Sequence, residues 1–300
     1  KFMRRIAYII NPISGTGGKT GLQQKIETAT QSKGIAYDVF LSNPDGNYAE
    51  IQAFCVENGV TDVVIAGGDG TINAALATLR RLNVQFGILP SGSGNGLALS
   101  AGLTKNIDRA LEIVFDGKPQ PVDAFLINGK FACMLCGLGF DAEVAHQFAQ
   151  DPQRGLMTYV KKSVGHFFVA HAYPFELQFN DVKLELDAFF ISIANSNQFG
   201  NNFTIAPQAS LTDGLLDVVV VKDQGKLSVL LQTLRQVTGY NKLQQLNLLD
   251  EAAGVMYFQT DKLRVLNQGS APLHIDGDPA PTAAEIDIEV LKGCFNLILP

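Results

Sequence analysis

Positive charge is scarce in this chain. Its 23 lysines and arginines stand against 29 aspartates and glutamates, a formal net charge of −6. No overall positive field exists to attract nucleic acid or to hold the protein on an anionic bilayer, so any membrane contact must be local. Long apolar runs are also missing, and none approaches the roughly 18 residues a membrane-spanning helix needs. After Arg4 and Arg5 only Ile6 to Ile10 follow before Asn11-Pro12 breaks the run, which is too short for a signal-peptide core. Lys1 and Phe2 precede Met3 and carry no weight here. The expected location is the cytoplasm.

Cysteine is sparse as well. The four residues, at 55, 133, 136 and 294, are too few for a disulfide framework in a chain of 300 residues. Cys133-Met134-Leu135-Cys136 has CxxC spacing, but it lies in a run that reads as a strand, where residues three apart point to opposite faces and cannot share one ion. No second CxxC occurs, and buried, inert thiols are expected. The four histidines, at 146, 166, 171 and 274, lack metal-ligand spacing and read as structural. Two nucleotide fingerprints are absent too. Gly18-Lys19-Thr20 has Ile13 where the Walker pattern needs glycine, and no GxGxxG occurs.

What the chain does have is glycine in the right places. Ala66-Gly67-Gly68-Asp69-Gly70-Thr71 closes an apolar run over 62–66, which reads as a buried parallel strand, and opens an amphipathic segment over 71–82, which reads as a helix. Such a turn sits at the carboxyl end of a sheet, where open α/β folds bind ligands. Three glycines in four residues allow close approach of a phosphate, and their amides with the first N–H groups of the helix make an anion-binding concavity. Asp69 would repel a bare phosphate, so it fits only with Mg²⁺ between them or with a role on a proton. The alternative is a tight turn with Asp69 as helix N-cap.

The surrounding chain alternates strand and helix. Strands are expected over 4–11, 36–41, 62–66 and 85–89, with helices over 19–33, 48–58, 71–82 and 107–116. This implies a doubly wound, mostly parallel sheet. The strand over 85–89 delivers a second glycine-rich loop, Pro90-Ser91-Gly92-Ser93-Gly94-Asn95-Gly96, to the same edge. Ser93 and Asn95 carry groups suited to phosphate or ribose, as does Ser42 after the strand over 36–41. Lys19 is either a phosphate contact or a solvated lysine.

Lys118-Pro119-Gln120-Pro121 reads as a linker, and beyond it strands dominate: 122–128, 131–136, 175–180, 183–194, 215–222, 255–260, 262–266 and 285–290. The alternation in Lys183-Leu184-Glu185-Leu186 and Glu285-Ile286-Asp287-Ile288 marks half-exposed antiparallel strands. Helical insertions are expected over 142–149 and 156–170. Arg154, Lys161 and Lys162 form either a solvated face or a contact for lipid headgroups, where each basic residue is worth about 1 kcal/mol. The expected organisation is an α/β domain over 1–121, a mainly antiparallel β-sandwich domain over 122–292, and an interdomain cleft holding the site.

Two acidic turns stand out in the second half. Thr212-Asp213-Gly214 leads into the strand over 215–222, and Asp276-Gly277-Asp278 follows the short apolar stretch ending at Ile275. Each is either a hairpin turn or a source of carboxylate for a hard cation such as Mg²⁺. With Asp69 they supply the carboxylates a phosphoryl transfer needs, near a metal and at the acceptor's proton.

Taken in order, these motifs resemble the diacylglycerol kinase catalytic-domain family, which includes sphingosine and ceramide kinases and bacterial lipid kinases. The resemblance rests on Asn11-Pro12 with its small-residue loop, Gly67 to Asn73, Pro90 to Ala98, Gly137-Leu138-Gly139-Phe140-Asp141, Ala206-Pro207 with Thr212-Asp213-Gly214, and Asp276-Gly277-Asp278. It implies an ATP site drawn from Asn11, Ser42, Gly67, Gly68, Asp69, Gly70, Thr71, Ile72, Asn73, Gly92, Ser93 and Asn95. It implies an Mg²⁺ site of the Asp213 side chain with the carbonyls of Leu216 and Val218. It points to Asp276 as proton acceptor, with Asp69 orienting metal and phosphate; the reverse assignment of these two stays open. A closing strand over 293–300 would return to the first domain. The partner implied is a lipid at a membrane surface, and a homodimer is compatible with it.

Two positions depart from the family pattern. Asp278 stands where glutamate is usual, and Thr212 replaces a common second acid. Two rival functions follow. One is a kinase of a soluble acceptor such as NAD, which should carry an Asn-Glu dipeptide that this chain lacks. The other is a catalytically silent regulator that binds nucleotide or lipid.

Overall fold

The computed structural model describes residues 3–13, 19–150, 171–197, 206–223 and 254–300, with backbone alone at 19, 20 and 147–150. These divide into two compact units, one of residues 1–122 with 293–300 and one of residues 123–292.

In the first unit five strands lie parallel. They are β1 (Arg5–Ile10), β2 (Ala36–Leu41), β3 (Asp62–Gly67), β4 (Gln85–Pro90) and the end of β15 (Glu285–Leu299), in the order β15-β4-β3-β1-β2. The closing strand pairs through Asn296 with Gln85 and through Leu297 with Phe86. Strand β3 is buried at every residue, which is why its sequence runs apolar without alternation. The helices are α1 (Lys19–Ser32), α2 (Ala49–Glu57), α3 (Asp69–Leu79), α4 (Gly96–Ser100) and α5 (Ile107–Asp116). One core joins Ile6, Tyr8, Ile10, Val64, Ala66 and Leu89 of the sheet to Ile26 of α1 and Ala110, Leu111 and Val114 of α5. At the opposite edge from the loops, Arg4 bonds the buried Asp62 at 2.7 Å and the α5 carbonyls of Val114 and Phe115.

The stretch 118–121, expected as a linker, is instead the start of β5 (Lys118–Ile127). Proline is tolerated there because the segment is exposed and begins the strand. The stretch 131–136, expected as one strand, breaks at Cys133-Met134 into β6 (Lys130–Ala132) and β7 (Leu135–Gly139). The helix expected over 156–170 lies outside the described residues, as do Arg154, Lys161, Lys162 and His166.

The second unit is an antiparallel sandwich. Helix α6 (Phe140–Gln150) follows β7; then come β8 (Tyr173–Phe179), β9 (Val182–Ala194), β10 (Leu216–Lys222), β11 (Val255–Thr260), β12 (Lys262–Asn267), β13 (Leu273–Ile275) and β14 (Asp278–Ala280). Strand β9 is long enough to serve two layers. Its first half pairs with β8 and its second half with β7 and β10. The burial pattern changes accordingly, from alternating over Val182–Asp187 to wholly buried over Ala188–Ala194. Between the layers lies a core that includes Phe125, Cys136, Leu138, Phe175, Ile191, Ile193, Val218, Val220, Phe258 and Val265.

Candidate active site

Parallel pairing brings the carboxyl ends of β1 to β4 to one edge of the first unit. Asn11 follows β1, Ser42 follows β2, and the two glycine loops follow the adjacent strands β3 and β4. Sheet order reverses between β1 and β3, and crevices at such switch points hold ligands in open α/β sheets. Asn11 closes this point. Its amide N–H donates to the Ala66 carbonyl at 2.8 Å and its Nδ2 to Thr71 Oγ1 at 2.8 Å, while its Oδ1 accepts from Ile13 N–H. Ser42 N–H donates to Ile10 O, which ties the outermost loop to the same edge.

The two glycine loops touch. A Cβ on Gly92 would stand 2.4 Å from the Gly68 Cα, and one on Gly67 would stand 2.8 Å from the Thr71 Cβ. The Ser91 amide donates to Gly67 O, so the loops are also hydrogen-bonded. Asn95 holds the second loop in shape: fully buried and left-handed at φ 61°, it accepts from Gly92 N–H and donates to Gly92 O. Its side chain thus holds the loop's own backbone, and Ser93 stands exposed on the same loop. Helix α3 begins at Asp69, with Gly68 in the N-cap position. Asp69 is therefore in the first turn, where a carboxylate complements the helix dipole, and is not the N-cap itself. Gly70, Thr71, Ile72 and Asn73 continue that turn, with Ile72 fully buried as a core contact. Crossing backbones with no room for a Cβ, at the positive end of a helix, suit a polyphosphate.

The second acidic turn is built differently. Strands β13 and β14 pair Ile275 with Asp278, so Asp276-Gly277 is a two-residue hairpin loop. Both residues are left-handed, at φ 49° and 85°, the conformation an Asp-Gly turn of type I′ adopts. The Asp276 side chain folds inward. Its Oδ1 accepts from Met134 and Leu135 N–H at 3.0 and 2.9 Å, and its Oδ2 from Cys133 N–H at 3.0 Å and from the Cys133 thiol. This buried carboxylate anchors the turn to the bend between β6 and β7. Asp278, next along, is exposed. Cys133 and Cys136 are buried and form no disulfide, and burial pushes the Cys136 thiol well up.

The same bend is gripped from a third side. Asn195 donates through Nδ2 to Asp123 O and Cys133 O, and the amides of Asn195 and Ser196 bond Met134 O. Asp123 Oδ2 in turn accepts from Gly214 N–H at 2.7 Å, next to Asp213. A chain of hydrogen bonds thus links the two acidic turns of this unit. Asp123 and Asn195 were missed in the sequence, although an acid alone in the apolar strand Val122-Asp123-Ala124-Phe125 was a visible signal.

A third set lies on the sheet face turned away from the core. There His274, Gly137, Ser192, Val219 and Tyr257 form one row across β13, β7, β9, β10 and β11. One row further along, Asp217 accepts from Tyr257 OH and from Gln259. Burial pushes the Asp217 carboxyl up to about 6, and nearby Asp213 acts in the same direction. Because the folded chain holds this proton more tightly than an unfolded one near 3.8, the stabilisation is full below pH 4 and is lost as pH rises through 6. At pH 7 the ionised group costs at most about 3 kcal/mol. Asp217→Asn is therefore expected to be more stable than the parent at pH 7, with the advantage shrinking toward zero as pH falls from 6 to 4. Urea unfolding at pH 7.5 and 4.5 measures this.

The metal expectation fares less simply. Asp213 is exposed on its turn, and its Oδ1 accepts from Leu215 N–H. Val218 is flanked by Ile193 of β9 and Phe258 of β11, so its carbonyl is a ladder group inside the sheet, and Leu216 pairs with Thr260. Among the described residues no three His, Cys, Asp or Glu side chains stand close enough to hold an ion. These residues do not form a protein cage for Mg²⁺, which more often binds through one or two carboxylates, waters and substrate phosphates.

Comparison with known proteins settles the family. Residues 5–127 match the diacylglycerol kinase catalytic domain, and residues 135–298 match the YegS C-terminal NAD kinase beta sandwich-like domain. The chain belongs to the family built from this pair of domains. Similar proteins include a "probable lipid kinase YegS-like" from Enterobacter sp. strain 638, 26% identical over 96% of this chain and 94% of its own length. A "diacylglycerol kinase" from Mycobacterium tuberculosis is 26% identical over 75% of this chain and 76% of its own. A solved diacylglycerol kinase structure from Bacillus anthracis str. Sterne superposes with a TM-score of 0.75 at 18% identity, covering 100% of this chain and 98% of that one. The last likeness shows the fold, and the family is one of kinases. No helix among the described residues is long and apolar enough to cross a membrane.

Proposed function

We propose that this chain is an ATP-dependent lipid kinase, transferring the γ-phosphoryl group to a hydroxyl of a diacylglycerol- or sphingoid-type lipid at a membrane surface. The observation that carries this is the contact of Gly68 with Gly92, which leaves two loops with no Cβ between them at the start of α3. Their amides bind and orient the phosphates, Asn11 ties the first loop to the end of β1, and Ser42 and Ser93 add hydroxyl groups toward nucleotide. Asp69 would orient the phosphates through a cation, and Asp213 would offer a carboxylate to Mg²⁺; when bound, that ion would supply charge neutralisation on the phosphates.

Proton acceptance moves, in this proposal, from Asp276 to Asp278. The Asp276 oxygens already accept three amides and a thiol, close to the full complement of lone pairs on a carboxylate. Asp278 is exposed on the same turn and can reach the lipid hydroxyl as it attacks the phosphorus. A shorter side chain than glutamate requires that the acceptor come closer to the turn.

Incubation with Mg²⁺ and γ-labelled ATP tests this, with micelles of diacylglycerol, a sphingoid base, ceramide and phosphatidylglycerol, and NAD as soluble control. Label in one lipid is expected. Label in NAD alone overturns the lipid assignment, and label in nothing despite ATP binding favours a silent regulator, a second reading to which Thr212 and Asp278 lend weight.

A further inference from the structure

We infer that Asp141 and His274 form a buried positioning pair that holds the Asp276–Asp278 turn in its reactive geometry. This rests on the proposal that the turn supplies the proton acceptor. The pair lies within the second unit and beside the turn. His274 is fully buried, and Asp141 nearly so. The Gly277 N–H, at the tip of the turn, points at His274 Nδ1 at 3.3 Å, which makes Nδ1 the acceptor and leaves Nε2 as the ring's N–H. That N–H donates to Asp141 Oδ2 at 3.1 Å. The carboxylate thereby selects the one tautomer able to receive the turn's amide.

Other residues are arranged around this contact. A Cβ at Gly137 would stand 2.2 Å from Asp141 Oδ2 and 2.5 Å from His274 Nε2, so only glycine leaves room for the pair. Asp141 is the second residue of α6, and a turn later on the same helix His146 bonds Leu273 O at the start of β13. The helix thus grips β13 at two points. From the other side Asp276 fastens the turn to residues 133–135. With both flanks tied, the exposed Asp278 projects from a turn that cannot rock. A packing role alone needs neither the tautomer nor the carboxylate.

The test uses the full chain with Asp141→Ala, Asp141→Asn, His274→Phe and Gly137→Ala. Asparagine still accepts from Nε2–H, whereas alanine does not. In the parent, long-range ¹H–¹⁵N spectra should show His274 as the Nε2–H tautomer, and Asp141→Ala should move the Gly277 amide resonance while Asp141→Asn leaves it near its place. This readout needs no activity. In lipid phosphorylation, kcat is expected to fall about 10²-fold in Asp141→Ala, His274→Phe and Gly137→Ala, as misplacement of a reacting group by about 1 Å does. KM for ATP should stay within about twofold, because the glycine loops belong to the first unit, and Asp141→Asn should recover most of kcat. An Nδ1–H tautomer in the parent overturns the pair whether or not the protein is a lipid kinase. So does a kcat equally low in Asp141→Asn and Asp141→Ala with ATP binding lost in both, the pattern of general unfolding. A parent with the expected spectra that phosphorylates no lipid overturns the functional proposal and leaves the hydrogen-bonded pair standing.

Discussion

Gly92→Ala is expected to weaken ATP binding at least about 10²-fold while leaving the far-ultraviolet circular dichroism spectrum unchanged. The added Cβ would lie 2.4 Å from the Gly68 Cα, 3.2 Å from the Gly68 nitrogen and 3.1 Å from Asn95 Oδ1. Two of these are backbone atoms, which cannot swing aside as the end of a flexible side chain can. The loops must separate, and the amides proposed to hold the phosphates separate with them. Overpacking of this kind costs about 1–3 kcal/mol of stability, and its effect on binding is larger because a polyphosphate site needs all its donors at once. Gly68→Ala is the milder partner, with its Cβ 3.1 Å from the Gly92 Cα. Gly21→Ala is the control. It sits in α1 with nothing within 4 Å, and alanine there favours the helix by up to about 1 kcal/mol. Titration calorimetry with a non-hydrolysable ATP analogue reads all three. Unchanged affinity in Gly92→Ala would show that the phosphates lie away from these loops.

That contact also marks how far the sequence could be read. The strand-helix alternation of the first unit follows from composition and period, and β2, β11 and α5 begin and end where the pattern places them. The pattern fails where a tertiary bond decides local shape. Nothing in Phe131-Ala132-Cys133-Met134-Leu135-Cys136 announces a break. The chain bends there because Asp276, 142 residues beyond Met134, takes the amides that one continuous strand would give to a neighbour. The start of α3 is similar. Gly68 can take the N-cap position through its free backbone, so the helix opens at Asp69, two residues before the stretch that the pattern places as helix. At the site itself, the sequence identified the acidic turns but not which of their carboxylates is buried. Asp276 and Asp278 differ by which side of a two-residue turn they face, and only the strand pairing of Ile275 with Asp278 fixes that.

Asp276→Ala and Asp278→Ala should both cut turnover at least about 10²-fold, yet only the first should unfold the protein easily. Removing the Asp276 carboxylate leaves the Cys133, Met134 and Leu135 amides without their acceptor, in a buried place. Each such amide costs about 1–3 kcal/mol, so a loss of roughly 3 kcal/mol or more is expected. Alanine also fits poorly at φ 49°, where asparagine is tolerated. Asp276→Asn should be intermediate, keeping the backbone and one acceptor oxygen while turning its NH₂ toward a donor. Asp278→Ala removes an exposed side chain and should stay within about 0.5 kcal/mol of the parent. Its turnover should nonetheless fall by about 10² to 10⁴, the range a general base contributes, with ATP affinity unchanged. Urea unfolding set beside initial rates separates the roles. If Asp276→Ala instead melts like the parent while losing all turnover, and Asp278→Ala remains active, the proton goes to Asp276 after all, and its amide bonds must then loosen when the lipid binds.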